Sequence, residues 1–139
     1  MGSMSVGRAL ALVTIVAGMF LAGCASSPTA EGAAPANLLS PEEYGAMLDI
    51  GDRHVINVHT PDEGSIAGTD LAFPFDELEQ RKDELPEDRT TKLAIYCMSG
   101  NMSESAAKTL RAMGYDDIVD LRGGMEAWRA GGRELQAAA

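Results

Sequence analysis

At 139 residues, with a formal net charge of −10, 5% aromatic residues and two cysteines, the chain has room for one domain of ordinary size and a short appendage. The acidity excludes nucleic acid and charge-driven binding to anionic lipid, because phosphate recognition needs a basic footprint that the sequence never assembles. The scarcity of aromatics leaves no stacking platform for single strands.

In chain order, Arg8 precedes an uncharged stretch, Ala9 to Ala22, that ends in Leu21-Ala22-Gly23-Cys24. The stretch is 14 residues long, whereas crossing a bilayer takes about 20. It therefore reads as a secretory signal with a small-residue cleavage site rather than a spanning helix. Leu21-Ala22-Gly23-Cys24 resembles the bacterial lipoprotein signal, which implies that residues 1–23 are removed and that Cys24 carries the lipid. Residues 24–36 are mostly Ala, Ser, Pro, Thr and Gly, too poor in apolar surface to offset ordering entropy, so a flexible tether is expected. The resemblance implies a place in the bacterial cell envelope, on the outer side of the cytoplasmic membrane or in the periplasm or outer membrane. Lipid alone would hold the protein there, and that needs more than one chain.

The folded domain is expected over residues 37–136. Asn37-Leu38-Leu39 suits a short edge strand. Ser40-Pro41-Glu42-Glu43 is a helix start, with Ser as N-cap, Pro in the first turn and Glu at the third position as capping-box partner. That helix should stop near Gly51. His54-Val55-Ile56-Asn57-Val58 is a β-branched run fit for a strand buried on both faces, closed by His59-Thr60-Pro61. A brief strand at Leu71 to Phe73 and a short helix from Asp76 to about Arg81 follow, and the dense charges from Glu77 to Asp88 read as a solvated face.

Lys92 to Tyr96 is the expected central strand. It delivers Cys97 into a loop of small residues, after which a helix is predicted over Ser103–Met113. Ala106, Ala107, Leu110 and Met113 give that helix one apolar stripe, and Gly114 ends it. A cysteine there sits where several backbone N–H groups converge at a helix N-terminus, which favours the anionic sulfur, the form that attacks. A buried structural cysteine is the alternative, and the position argues against it: in open α/β sheets, ligands bind beyond the carboxyl ends of the strands. Ile118 to Leu121 is the last strand. Trp128 reads as core packing for the last helix. Strands alternating with helices and no hairpin turn between them imply an α/β fold, a mostly parallel central sheet with helices on both faces.

Cys97-Met98-Ser99-Gly100-Asn101-Met102-Ser103 resembles the active-site loop of single-domain rhodaneses, which are sulfurtransferases. Asn57-Val58-His59-Thr60-Pro61 stands where that family has a strand-end Asp-Val-Arg-Thr-Pro, and Gly114-Tyr115 to Leu121-Arg122-Gly123-Gly124-Met125 with Trp128 resembles its last strand, Gly-Gly turn and closing helix. The resemblance implies a rhodanese-like fold, a small-molecule sulfur donor, a thiol acceptor and no cofactor. It makes Cys97 the nucleophile and persulfide carrier, with Met98, Ser99, Gly100, Asn101, Met102 and Ser103 around the substrate. The six-residue span from Cys97 to Met102 is that of sulfur-transferring members, whereas related phosphatases use a longer loop and want an Arg fork that this loop lacks.

Met98 and Met102 fill positions where many members carry Arg, which disfavours thiosulfate and suits a persulfide or polysulfide. Asn57 and His59 replace an Asp and an Arg, removing an ion pair. Arg122 is a possible cation near the pocket. His59 and Arg122 read at least as well as ordinary strand-end and solvent-facing residues. The alternative function is a module of the same fold that binds, carries or senses sulfur while docked to an envelope partner, without turnover. A thiol oxidoreductase would need a second cysteine near Cys97, and two histidines and one free cysteine, far apart, give no metal spacing.

Overall fold

The computed structural model describes residues 35–138. The expected signal segment, Cys24 and nearly all of the expected tether lie outside the described residues.

Local chemistry sets the first elements. The chain enters as an edge strand, β1 (Asn37–Leu39), and turns into α1 (Pro41–Ile50) through a complete capping box: the Glu43 N–H donates to Ser40 Oγ at 3.3 Å while the Ser40 N–H donates to Glu43 Oε2 at 2.8 Å. Gly51, at φ 70°, closes the helix in the left-handed region, its N–H donating to the Met47 carbonyl. The remaining elements are β2 (His54–Asn57), β3 (Leu71–Ala72), β4 (Leu93–Tyr96), α2 (Asn101–Ala112), β5 (Ile118–Leu121) and α3 (Gly124–Ala130). All five strands pair in parallel in the order β1-β5-β4-β2-β3, so β4 is central.

The four residues of β4 are all buried and alternate between two cores. Leu93 and Ile95 face the α2 side, where Ala106, Ala107 and Leu110 meet Ile56 and Ile118. Ala94 and Tyr96 face the opposite side, where Tyr44 and Met47 of α1 and Met125 and Trp128 of α3 pack with Val55 and Leu121. Helices thus cover both faces of a parallel sheet, and Trp128 is a core residue whose indole N–H donates to the Glu134 carbonyl at 3.1 Å.

One expected element is absent. Residues 76–81 form turns rather than a helix, and the only regular structure there is one 3₁₀ turn at Lys82–Glu84. The segment is organised by its few apolar anchors: Phe73, Leu78 and Leu85 are driven into the α2-side core. Arg81 meanwhile bridges Glu84 at 2.7 Å and lies over the Phe73 ring at 4.4 Å. Burial of three scattered side chains outweighs the weak local helical pattern. Val58 falls outside β2, yet its N–H still donates to the Tyr96 carbonyl at 2.9 Å.

Candidate active site

Beyond the C-terminal end of β4, the chain wraps from Cys97 to Gly100 and enters α2 at Asn101. Gly100 makes this possible. At φ 111° it sits where a side chain would strain the backbone, and its N–H turns inward to donate to Cys97 Sγ at 3.0 Å. The helix starts two residues earlier than the apolar pattern suggests because this left-handed glycine serves as its N-cap.

Cys97 is 1% exposed, beneath its own loop. Its thiol donates to Ser103 Oγ at 3.5 Å. The expected convergence of several N–H groups on the sulfur is therefore replaced by one N–H, from Gly100, and one hydroxyl, from the first turn of α2.

The other loop residues divide by role. Ser99 and Asn101 are exposed and, with Gly100, line a cavity of about 300 Å³ whose wall continues through Leu38, Glu104 and Arg122. Met98 and Met102 are half-buried. Met98 leans on the α3-side core, where Arg129 Nη2 donates to its sulfur at 3.8 Å, and Met102 leans on the α2-side core. Arg122 stands at the cavity rather than remote from it.

Two features escape a reading of the sequence. The first is the hold that α3 exerts on the loop. The Met125 N–H donates to the Cys97 carbonyl at 2.9 Å, and the Glu126 N–H to the Met98 carbonyl at 3.0 Å. Gly124 permits the approach. A Cβ there would press into both carbonyl oxygens, that of Met98 at 2.5 Å, and its φ of 58° is left-handed.

The second is Asp120, in the middle of β5 and 2% exposed. Ser103 Oγ donates to its Oδ2 at 2.9 Å, while Oδ1 is buried with no hydrogen-bond partner among the described residues. Burial pushes the carboxyl up to about 7, the Ser103 hydrogen bond and the Leu121 N–H lower it, and the nearby Glu104 charge raises it. An acid inside an apolar strand buried on both faces is the signal that could have pointed to it.

At the neighbouring strand end, Asn57 takes over what an ion pair would do. It is 3% exposed, its Nδ2 donates to the Gly64 carbonyl at 3.0 Å, and its Oδ1 accepts the His59 N–H at 3.0 Å. His59 Nε2 lies 2.6 Å from Glu63 Oε2, so the ring is engaged with its own loop. Among the described residues no group of three or more His, Cys, Asp or Glu side chains could hold a metal ion.

Comparison with known proteins agrees with this geometry. Residues 40–131 match the rhodanese-like domain family. A sulfurtransferase of Allochromatium vinosum is 34% identical over 94 residues, which cover 66% of this chain and 85% of that protein. The thiosulfate sulfurtransferase GlpE of Pseudomonas paraeruginosa is 30% identical over 99 residues, covering 71% and 72% respectively. Among solved structures, a rhodanese-related protein from Thermoplasma volcanium superposes with a TM-score of 0.59 at 29% identity, over 71% of this chain and 96% of that one. With the parallel sheet, the cysteine loop between β4 and α2 and the family match over residues 40–131, the chain belongs to the rhodanese-like domain family.

Proposed function

We propose that the protein is a sulfurtransferase that carries a sulfane sulfur on Cys97. The observation that carries this reading is the Gly100 N–H aimed at Cys97 Sγ at 3.0 Å, at the carboxyl end of the central strand. A donor placed there would stabilise an anionic sulfur, both as the attacking thiolate and as a persulfide. In the first step the Cys97 thiolate attacks the outer sulfur of the donor. The donor's S–S bond breaks with its electron pair leaving on sulfite or on a thiolate, and Cys97 becomes a persulfide. In the second step an acceptor thiolate attacks the outer sulfur and Cys97 departs as thiolate, so that no external oxidant or reductant is consumed. The named activities of the relatives in Allochromatium and Pseudomonas support transfer of this kind.

The test is intact mass after exposure to an organic persulfide or to thiosulfate. Gain of one sulfur, absent in Cys97→Ser, is expected. A wild-type protein that gains none, or a Cys97→Ser protein that gains it equally, defeats the reading. The burial of Cys97 also suits a carrier without turnover. Multiple cycles of transfer to an added thiol select the enzyme, and a persulfide that no thiol discharges selects the carrier.

We also propose that Cys24 is lipidated and holds the domain at the cell envelope, on the strength of Leu21-Ala22-Gly23-Cys24 behind a short apolar segment. Cys24→Ala should leave the membrane fraction or be misprocessed. The same processing and partitioning as wild type would rule the anchor out.

A further inference from the structure

Among the described residues Asp120 is the one buried carboxyl, and nothing in the transfer steps above uses it. An unbroken line of polar atoms joins it to the nucleophile: the Cys97 thiol donates to Ser103 Oγ at 3.5 Å and Ser103 Oγ donates to Asp120 Oδ2 at 2.9 Å. The hydroxyl has a single proton, and its other acceptor, the Gly100 carbonyl, lies farther away at 3.1 Å. With that proton directed at Asp120 Oδ2, the hydroxyl's lone pairs are free to accept from the thiol.

If the carboxyl served only to hold Ser103, a neutral amide would do so without burying an ionisable group that has an unpartnered oxygen. Its surroundings keep the balance close. Glu104 on α2 adds negative charge, Arg122 on the turn after β5 lines the same cavity, Cys97 lies beyond Ser103, and Tyr44 on α1 stands across the sheet with its own ionisation driven upward by burial. Burial brings the carboxyl up to about 7, so it takes up a proton far more readily than an exposed aspartate does.

We propose that Asp120 takes up and stores the Cys97 thiol proton through Ser103, so that thiol, hydroxyl and carboxyl share one negative charge, held on the carboxylate at rest and on the sulfur during attack. The S–H bond breaks as a bond to Ser103 Oγ forms, and the hydroxyl's own proton moves to Asp120 Oδ2. No charge enters or leaves the protein in this step. The thiolate then attacks the donor. When Cys97 leaves the persulfide as thiolate in the second step, the proton returns by the same path. Asp120 touches no reacting atom; it is a positioning and proton-storing residue, and its role rests on the reading of Cys97 as the sulfur carrier.

The experiment is the pH dependence of Cys97 alkylation by iodoacetamide, read by peptide mass in the full chain, for wild type and Asp120→Asn. Two ionisations that share a proton give two inflections in the logarithm of the rate, the lower one from the pair's first proton. Wild type should show both, and Asp120→Asn should lose the lower one. The same single inflection in both proteins, or both inflections kept with a uniform change in rate, overturns the proposal. Should Asp120→Asn fail to fold, Ser103→Ala carries the same test, with loss of the lower inflection expected and an unchanged profile overturning it. Absence of sulfur uptake by wild type would count against the transfer reading and leave this profile standing, so the two failures are separable.

Discussion

Asp120 also governs how stability depends on pH, with a sign opposite to that of an ordinary surface carboxylate. Its folded-state value is raised to about 7, above about 3.9 for an unfolded aspartate. Between those values the folded protein binds the extra proton, so stability is fully present below about pH 4 and is lost as pH rises through about 7. Asp120→Asn removes that dependence. Denaturant titrations of the two proteins should diverge in favour of the variant by roughly 1.4 kcal/mol per pH unit across the window, then level off. A constant offset from pH 4 to pH 8 would show that the carboxyl is not destabilised by burial. At this scale the placement of Cys97 between β4 and α2 was legible in the sequence, because a cysteine between an apolar run and a helical pattern has a position as well as a type. Asp120 left only a weak signal, a single acid in the apolar run Ile118 to Leu121, and only the fold brings Ser103 beneath it.

The loop is held by its own residues and by the helix that follows β5. Met125 and Glu126 offer their N–H groups to the Cys97 and Met98 carbonyls, and Gly123-Gly124 brings that helix start close enough to do so. Gly124→Ala should push α3 and the loop apart. The left-handed φ alone costs about 1–2 kcal/mol for a non-glycine residue, and displacing a nucleophile by an ångström can slow a reaction about a hundredfold. A lowered unfolding midpoint with a still larger relative loss of sulfur transfer is expected, and a variant with wild-type transfer would show that the α3 contact does not position Cys97. Elements whose ends carry their own chemistry were readable: Ser40 to Glu43 specified the start of α1 and Gly51 its end, and the unbroken apolar run Leu93 to Tyr96 marked the central strand, whereas its division between two cores came from the fold. The stretch from Asp76 to Arg81 was misread as helix because its conformation is decided by where Leu78 and Leu85 are buried, a tertiary fact with no local signature.

Across the whole molecule, charge bears on which donor reaches the loop. The chain carries −10, and the wall of the cavity holds Arg122 together with the acids Glu104 and Asp120. Arg129 reaches the loop only through the Met98 sulfur, at 3.8 Å. Met98 and Met102 add no charge, and both are partly committed to packing. A dianion such as thiosulfate is therefore repelled at long range and meets little compensating charge on arrival, whereas cysteine persulfide carries less negative charge and offers the same kind of transferable sulfur. Salt separates the two. The screening length falls from about 30 Å at 0.01 M to about 10 Å at 0.1 M ionic strength, so added salt should raise the second-order rate constant for thiosulfate more than that for cysteine persulfide. The persulfide should be preferred at low salt, and the preference should narrow as salt is added. A preference for thiosulfate at low salt, or a ratio that salt leaves unmoved, would mean that groups at the loop, rather than the field of the acidic domain, set donor choice.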